Sequence, residues 1–228
     1  MTVFATDEDI ALRASADFSA LCPRDQMLAS GSDGAFLAPD PWTLRSASVD
    51  FWGFGVAAGN VARLTKPSSC FGANGELFVV AAVAPGAITL RRKGQAAGVG
   101  QPPAPPVGLG GVEFAVRTLG PQIRLASYDL DRRFGIDDAV AGRRSTDLYD
   151  PQQLREAVVL TVLYKQYLDQ SRQFAGASDA PDDWYAAKSR IAKAELDEIL
   201  DRLALKWNEA DVAARATATT RFSTRVVR

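Results

Sequence analysis

Residues 150–173 read DPQQLREAVVLTVLYKQYLDQSRQ, and the placement of the rest of the chain follows from this pattern. Asp150 is a favourable N-cap, and Pro151 stands at the first helical position, where its missing N–H removes no intrahelical bond. No Gly or Pro follows until Gly176. The spacing predicts a helix of roughly 35 Å at ~1.5 Å per residue. Leu154, Val158 and Val162 mark one face, while Val159, Leu160, Leu163, Tyr164 and Tyr167 spread over most of the remainder. A helix that is apolar nearly all round must be covered nearly all round. It is therefore either the hub of a helical domain or a helix packed between subunits, with Val159, Leu163, Tyr164 and Tyr167 at the subunit interface.

Helical periodicity also appears on both sides of this stretch. Upstream, Pro121 opens a helix carrying Ile123, Leu130 and Phe134 and stopped by Gly135; downstream, Pro181 precedes one over about 182–207. Near the start, Thr6 and Asp9 resemble a capping box, and Ile10, Ala14, Phe18 and Leu21 recur at helical spacing until Pro23. Residues 7–21 are thus predicted as one helix, with acids in its first turn where the dipole favours them. The following SGSDGAFLAPDPW (30–42) is turn chemistry.

Between Trp42 and Leu119 the pattern changes to short strands: 43–49, 60–65, 77–83, 87–92 and 112–119, the last alternating with period two so as to bury either Val112, Phe114 and Val116 or the opposite set. Residues 94–111 (GQAAGVGQPPAPPVGLGG) interrupt them and read as a projecting arm. The expected fold class is α+β: a helical domain of about four helices with one long central helix, a small inserted antiparallel sheet or barrel, and an extended C-terminal tail. The expected boundaries are 1–41 for the N-terminal helix and loop, 42–119 for the β module with its arm, 120–212 for the helical domain and 213–228 for the tail.

The 228 residues are 47% hydrophobic and 23% charged, with net charge −1. That balance argues against a binder working through bulk positive charge. There is no 18-residue apolar run, so no membrane span is expected, and Asp7, Glu8 and Asp9 near the start do not read as a secretion signal. The two cysteines, Cys22 and Cys70, fall in no metal or redox motif and read as reduced. Histidine is absent altogether. This removes Ser-His-Asp and Cys-His nucleophile arrangements and HExxH zinc sites, leaving carboxylate or lysine chemistry. No catalytic, metal or cofactor-binding residue is expected.

Four other stretches bear on function. The glycine-rich 94–111 lacks GK[ST] and opens no helix, so it is not a phosphate loop. Arg91, Arg92 and Lys93 end a strand beside it and are either solvated or a contact for phosphate or an acidic partner. Trp52 and Phe54, in DFWGFGV, are either core residues or an exposed subunit contact. In the tail, AARATATTRFSTRVVR, the only charges are Arg215, Arg221, Arg225 and Arg228, and the sequence is β-prone. Such a segment suits pairing with an exposed strand edge or docking on another chain.

Residues 49–92 (VDFWGFGVAAGNVARLT, then GELFVVAAV, then AITLRR) resemble β modules of tailed-phage neck proteins, and DLYDPQQLREAVVLTVLYKQYLDQ resembles the long helix of the head–tail connector (adaptor) family. The resemblance covers roughly 6–207. It implies a structural virion protein, without enzymatic activity or cofactor, that forms a homo-oligomeric ring of about twelve copies. The ring would lie in the virion neck, assembled in the bacterial host cytoplasm, between portal protein and a tail-side neck or tail protein, with DNA passing through its lumen. It also implies that Arg221, Phe222, Arg225, Val226 and Arg228 dock on the portal. The alternatives are a carboxylate- or lysine-dependent enzyme and a soluble oligomeric binding module without viral role.

Overall fold

The computed structural model describes residues 2–95, 105–140, 143–150, 152–174, 184–203 and 205–207. Among these are six strands, β1 (Met27–Phe36), β2 (Thr43–Arg45), β3 (Val61–Lys66), β4 (Glu76–Ala84), β5 (Ala87–Arg92) and β6 (Val112–Arg117). Six α-helices accompany them: α1 (Asp7–Arg13), α2 (Phe18–Leu21), α3 (Ser68–Phe71), α4 (Gly120–Phe134), α5 (Gln152–Phe174) and α6 (Trp184–Arg202). The strands close into an antiparallel barrel in the order β1-β2-β5-β4-β3-β6.

This overturns the expected helical domain with a small inserted sheet. The fold is a mixed α and β one in which a complete six-stranded barrel stands beside the helices. The difference lies in residues 27–36. Their Gly-Ser-Asp-Gly run reads as a turn, yet they form the longest strand, pairing Met27 with Arg117 and Gly34 with Val112. The glycines are there for close approach. A Cβ on Gly31 would come within 2.7 Å of the Phe114 ring, and one on Gly34 within 2.9 Å of the Val112 carbonyl oxygen.

The barrel interior is filled. Phe36, Leu44, Phe51, Ala62, Leu64, Phe78, Ile88, Leu90, Val112, Phe114 and Val116 meet there, with Phe71 edge-on to Phe78 at 6.1 Å and Phe51 tilted against Phe114 at 5.5 Å. Small barrels close on side chains in this way rather than on a lumen. The continuous apolar run of β4 has two destinations: Phe78 and Val80 point inward, while Leu77 joins Val61 of β3 against the helices. Burial on both faces explains why this strand does not alternate.

The helical layer has its own core around α5. Leu154, Ala157, Val158, Val159, Leu160, Val162, Leu163 and Tyr167 are all buried, against α1, α2, α4 and α6. Asp150 accepts the Gln152 N–H at 2.8 Å, as an N-cap does. α4 ends on Gly135 in the left-handed conformation (φ 66°), the expected stop. The predicted first helix is two helices. α1 carries the capping box at Thr6 and Asp9, but Ala14 leaves helical geometry and the chain turns before α2. Part of the predicted arm, residues 96–104, lies outside the described residues. Beyond it Pro105 is buried, and the Phe36 N–H and carbonyl pair with the Leu109 carbonyl and the Gly108 N–H at 2.8 Å each.

Candidate functional site

The junction between barrel and helices is built from three consecutive carboxylates at the start of α1. Each acid of Asp7-Glu8-Asp9 goes to a different element. Asp7 is buried and accepts the Leu119 N–H at 2.7 Å, just before α4, and the Asn60 side-chain amide at 3.1 Å, just before β3. Burial raises its carboxyl above the usual range, partly offset by those hydrogen bonds, by Thr118 and by the Arg124 charge. Glu8 pairs with Arg91 of β5 at 2.5 Å and accepts the Gly94 N–H at 2.8 Å. Burial acts to raise the Glu8 carboxyl, but Arg91 and the Gly94 N–H outweigh it and hold it low. Asp9 closes the capping box and stands 3.4 Å from Arg155 of α5.

This junction accounts for the basic triplet. Arg91 is largely buried against Glu8, Arg92 pairs with Glu76 of β4 and lies over the Phe78 ring, and Lys93 donates to Ser15 Oγ. The three cations, read from the sequence as either solvated or a contact for phosphate or an acidic partner, thus meet groups of this chain. The four expected subunit-interface positions also have neighbours within the chain. Val159, Leu163 and Tyr167 are buried within the chain, and Tyr164 is partly buried against the same core. Within the chain, α5 packs against α1, α2, α4 and α6. The expected docking residues Arg221, Phe222, Arg225, Val226 and Arg228 lie outside the described residues.

A groove of about 480 Å³ runs between the α1–α2 turn, α5 and α6. At its centre the Asp17 carboxylate accepts the Tyr167 hydroxyl at 2.7 Å and the Lys188 ammonium. Lys188 also sits 4.1 Å from the Trp184 ring centroid, and Tyr167 stacks on Tyr185 at 6.1 Å. Burial first, and then the hydrogen bond to Asp17, hold the Tyr167 proton far more tightly than usual. A tyrosine held in this state does not serve as an acid or base near neutral pH. Lys188 pairs with the Asp17 carboxylate. The cluster's evident work is to clasp α6 to α2 across α5.

Cys22 lies in the helical core, where burial and the nearby Asp7 carboxylate push its thiol up to about 12; Cys70 is exposed on α3. Neither is in a disulfide. Among the described residues, no group of three His, Cys, Asp or Glu could hold a metal ion, and no helix is long and apolar enough to cross a membrane.

The turn between β2 and β3 has a different character. Phe51 plugs the barrel end, and its N–H donates to the Pro85 carbonyl at 2.7 Å. Asp50 Oδ1 accepts the Gly53 N–H at 3.0 Å, and the Asp50 carbonyl accepts the Phe54 N–H at 3.1 Å. This well-bonded loop holds Trp52 and Phe54 out to solvent, 67% and 57% exposed. Phe54 also walls a groove of about 310 Å³ that runs along β1 beside Met27, Leu28 and Val49. In the sequence Trp52 and Phe54 read either as core residues or as an exposed subunit contact. Which side of the barrel wall the rings would take was not legible there. Compared with known protein families, characterised proteins and solved structures, the chain matches none.

Proposed function

We propose that this chain is a structural assembly subunit: a ring-forming head–tail connector of a tailed-phage neck, joining portal to tail and letting DNA pass without sequence-specific contact. The observation that carries the assembly part is the turn at residues 50–55. Two aromatic rings are held in solvent by a bonded loop, while the apolar surface of α5 is satisfied inside the subunit. Large exposed aromatics on a fixed scaffold are the residues that anchor protein–protein interfaces. The portal and tail partners rest on the sequence resemblance in 49–92 and along α5.

The test is assembly with the portal protein of the same virus. Native mass and negative-stain images of the mixture should give a closed ring seated on the portal, and Trp52→Ser with Phe54→Ser should abolish the ring while leaving a folded monomer. A chain that stays monomeric with portal present at high concentration would end this reading.

A further inference from the structure

The barrel is closed, but its seam is uneven. β1 runs from Met27 to Phe36, whereas β2 covers only Thr43–Arg45 and meets β1 at Ala35 and Phe36. On that side, residues 27–34 of β1 have no partner strand among the described residues; their ladder is with β6 on the other side. Asp33 covers one end of the gap by accepting the Ala47 and Ser48 N–H groups at 2.9 and 3.0 Å. Residues 27–30 instead border the groove walled by Ser48, Val49 and Phe54. Met27 is 43% exposed at its mouth.

An unpaired strand edge offers a row of N–H and C=O groups to another chain, and proteins usually blunt such edges with charge or proline. Residues 27–32 are Met-Leu-Ala-Ser-Gly-Ser, with neither. Strand addition takes its affinity from the main chain and its specificity from alternate side chains entering pockets. The chain carries one segment of that description. Residues 217–228, TATTRFSTRVVR, are β-prone and place Phe222, Thr224 and Val226 at period two, with Arg221, Ser223 and Arg225 at the alternate positions. Twenty-one residues follow Trp207, a reach of about 70 Å at about 3.3 Å per residue.

We propose that the open edge of β1 receives the C-terminal segment of a neighbouring copy as an added strand, with Phe222 entering the apolar groove beside Phe54. This rests on the reading of the chain as a ring subunit and names the contact between its copies. It makes the next subunit, not the portal, the tail's partner. Each copy gives one tail and offers one edge, so the contact is head-to-tail and propagates around a ring.

The test uses the full chain with Cys70→Ser. One preparation carries Phe54→Cys and another Phe222→Cys; they are mixed and oxidised, and the products identified by mass spectrometry. The expected product is a 54–222 disulfide between two chains, lost when Met27→Asp is added to the recipient. Amide exchange at residues 28–31 should be slower by at least about tenfold in the full chain than in its Phe222→Asp variant. In a third preparation that carries both substitutions on one chain, a 54–222 disulfide formed within that chain, with none between chains in the mixture, would overturn the second-copy assignment. Exchange unchanged by Phe222→Asp, with no cross-link, would overturn strand addition. If rings nevertheless formed on the portal, the ring reading would survive that failure. Cross-link and protection in an assembly that never mounts a portal would overturn the connector reading and leave strand addition standing.

Discussion

The barrel and the helical layer each bury a full apolar core, but contacts of opposite range hold them. In the helical layer α5 packs on α6, the next helix in sequence, and on α4 just before it. The barrel depends on β1 meeting β6, with Met27 opposite Arg117. Helices express their burial as a local 3.6-residue period. A barrel expresses it partly as steric allowance, with glycine where two strands and a phenylalanine ring crowd together. Between the two cores stand Asp7 and Glu8, which fasten the helices to the barrel through hydrogen-bonded, largely buried carboxylates. The two regions should therefore unfold together.

The largest expected effect tests that coupling from the barrel side. Phe78→Ala removes a fully buried ring packed against Phe71 and Trp42 and should cost about 3–5 kcal/mol. Leu163→Ala, in the other core, should cost about 2–5 kcal/mol. Both should displace one common denaturation transition followed by tryptophan fluorescence and far-UV circular dichroism. Two separate transitions, each moved by one variant, would mean that the regions are independent.

Asp7→Ala tests the fastening itself. It strands the buried Leu119 N–H and the Asn60 amide and should cost about 2–3 kcal/mol. It should also separate the two spectroscopic transitions. A variant that loses stability but keeps them coincident would place the coupling elsewhere, at Glu8 and Arg91.

Asp131, on α4, sharpens the comparison through pH. It is buried, its Oδ1 has no hydrogen-bond partner among the described residues, and burial and the Asp138 charge raise its carboxyl to about 6. The folded state thus binds this proton more tightly than the unfolded state does. Asp131 therefore favours folding most below the ordinary carboxylate range, and that advantage is lost as pH rises through about 6. Asp131→Asn should be more stable than the parent at pH 7.5, by about 1–3 kcal/mol, and the gap should narrow toward pH 5. Urea midpoints across that range measure it. An equal gap at all pH values would show that Asp131 does not titrate there.

The smallest stability effect is expected at the exposed turn. Trp52→Ser should change folding free energy by less than about 0.5 kcal/mol, because the ring packs on little of its own subunit. A cost near that of Phe78→Ala would make Trp52 part of the core and remove the contact surface argued for assembly.

The amino-acid order alone specifies α4, α5 and α6, the caps at Thr6, Asp150 and Gly135 and the all-round burial of α5, but not the break at Ala14 that separates α1 from α2. These depend on neighbours a few residues apart, and local spacing records them. It also carried the alternation of Val112, Phe114 and Val116, all of which face the barrel interior. Only the tertiary structure decided that residues 27–36 form a strand, because Gly31 and Gly34 look like turn residues until Phe114 and Val112 are brought against them. It likewise decided the fate of the charges. Arg91 reads as a free cation and Asp7 as a first-turn helix acid, yet folding places one against Glu8 and the other beneath Leu119. A charge's partner lies on whatever element the fold brings alongside it, and residues 8 and 91 meet only once the barrel has closed beside α1.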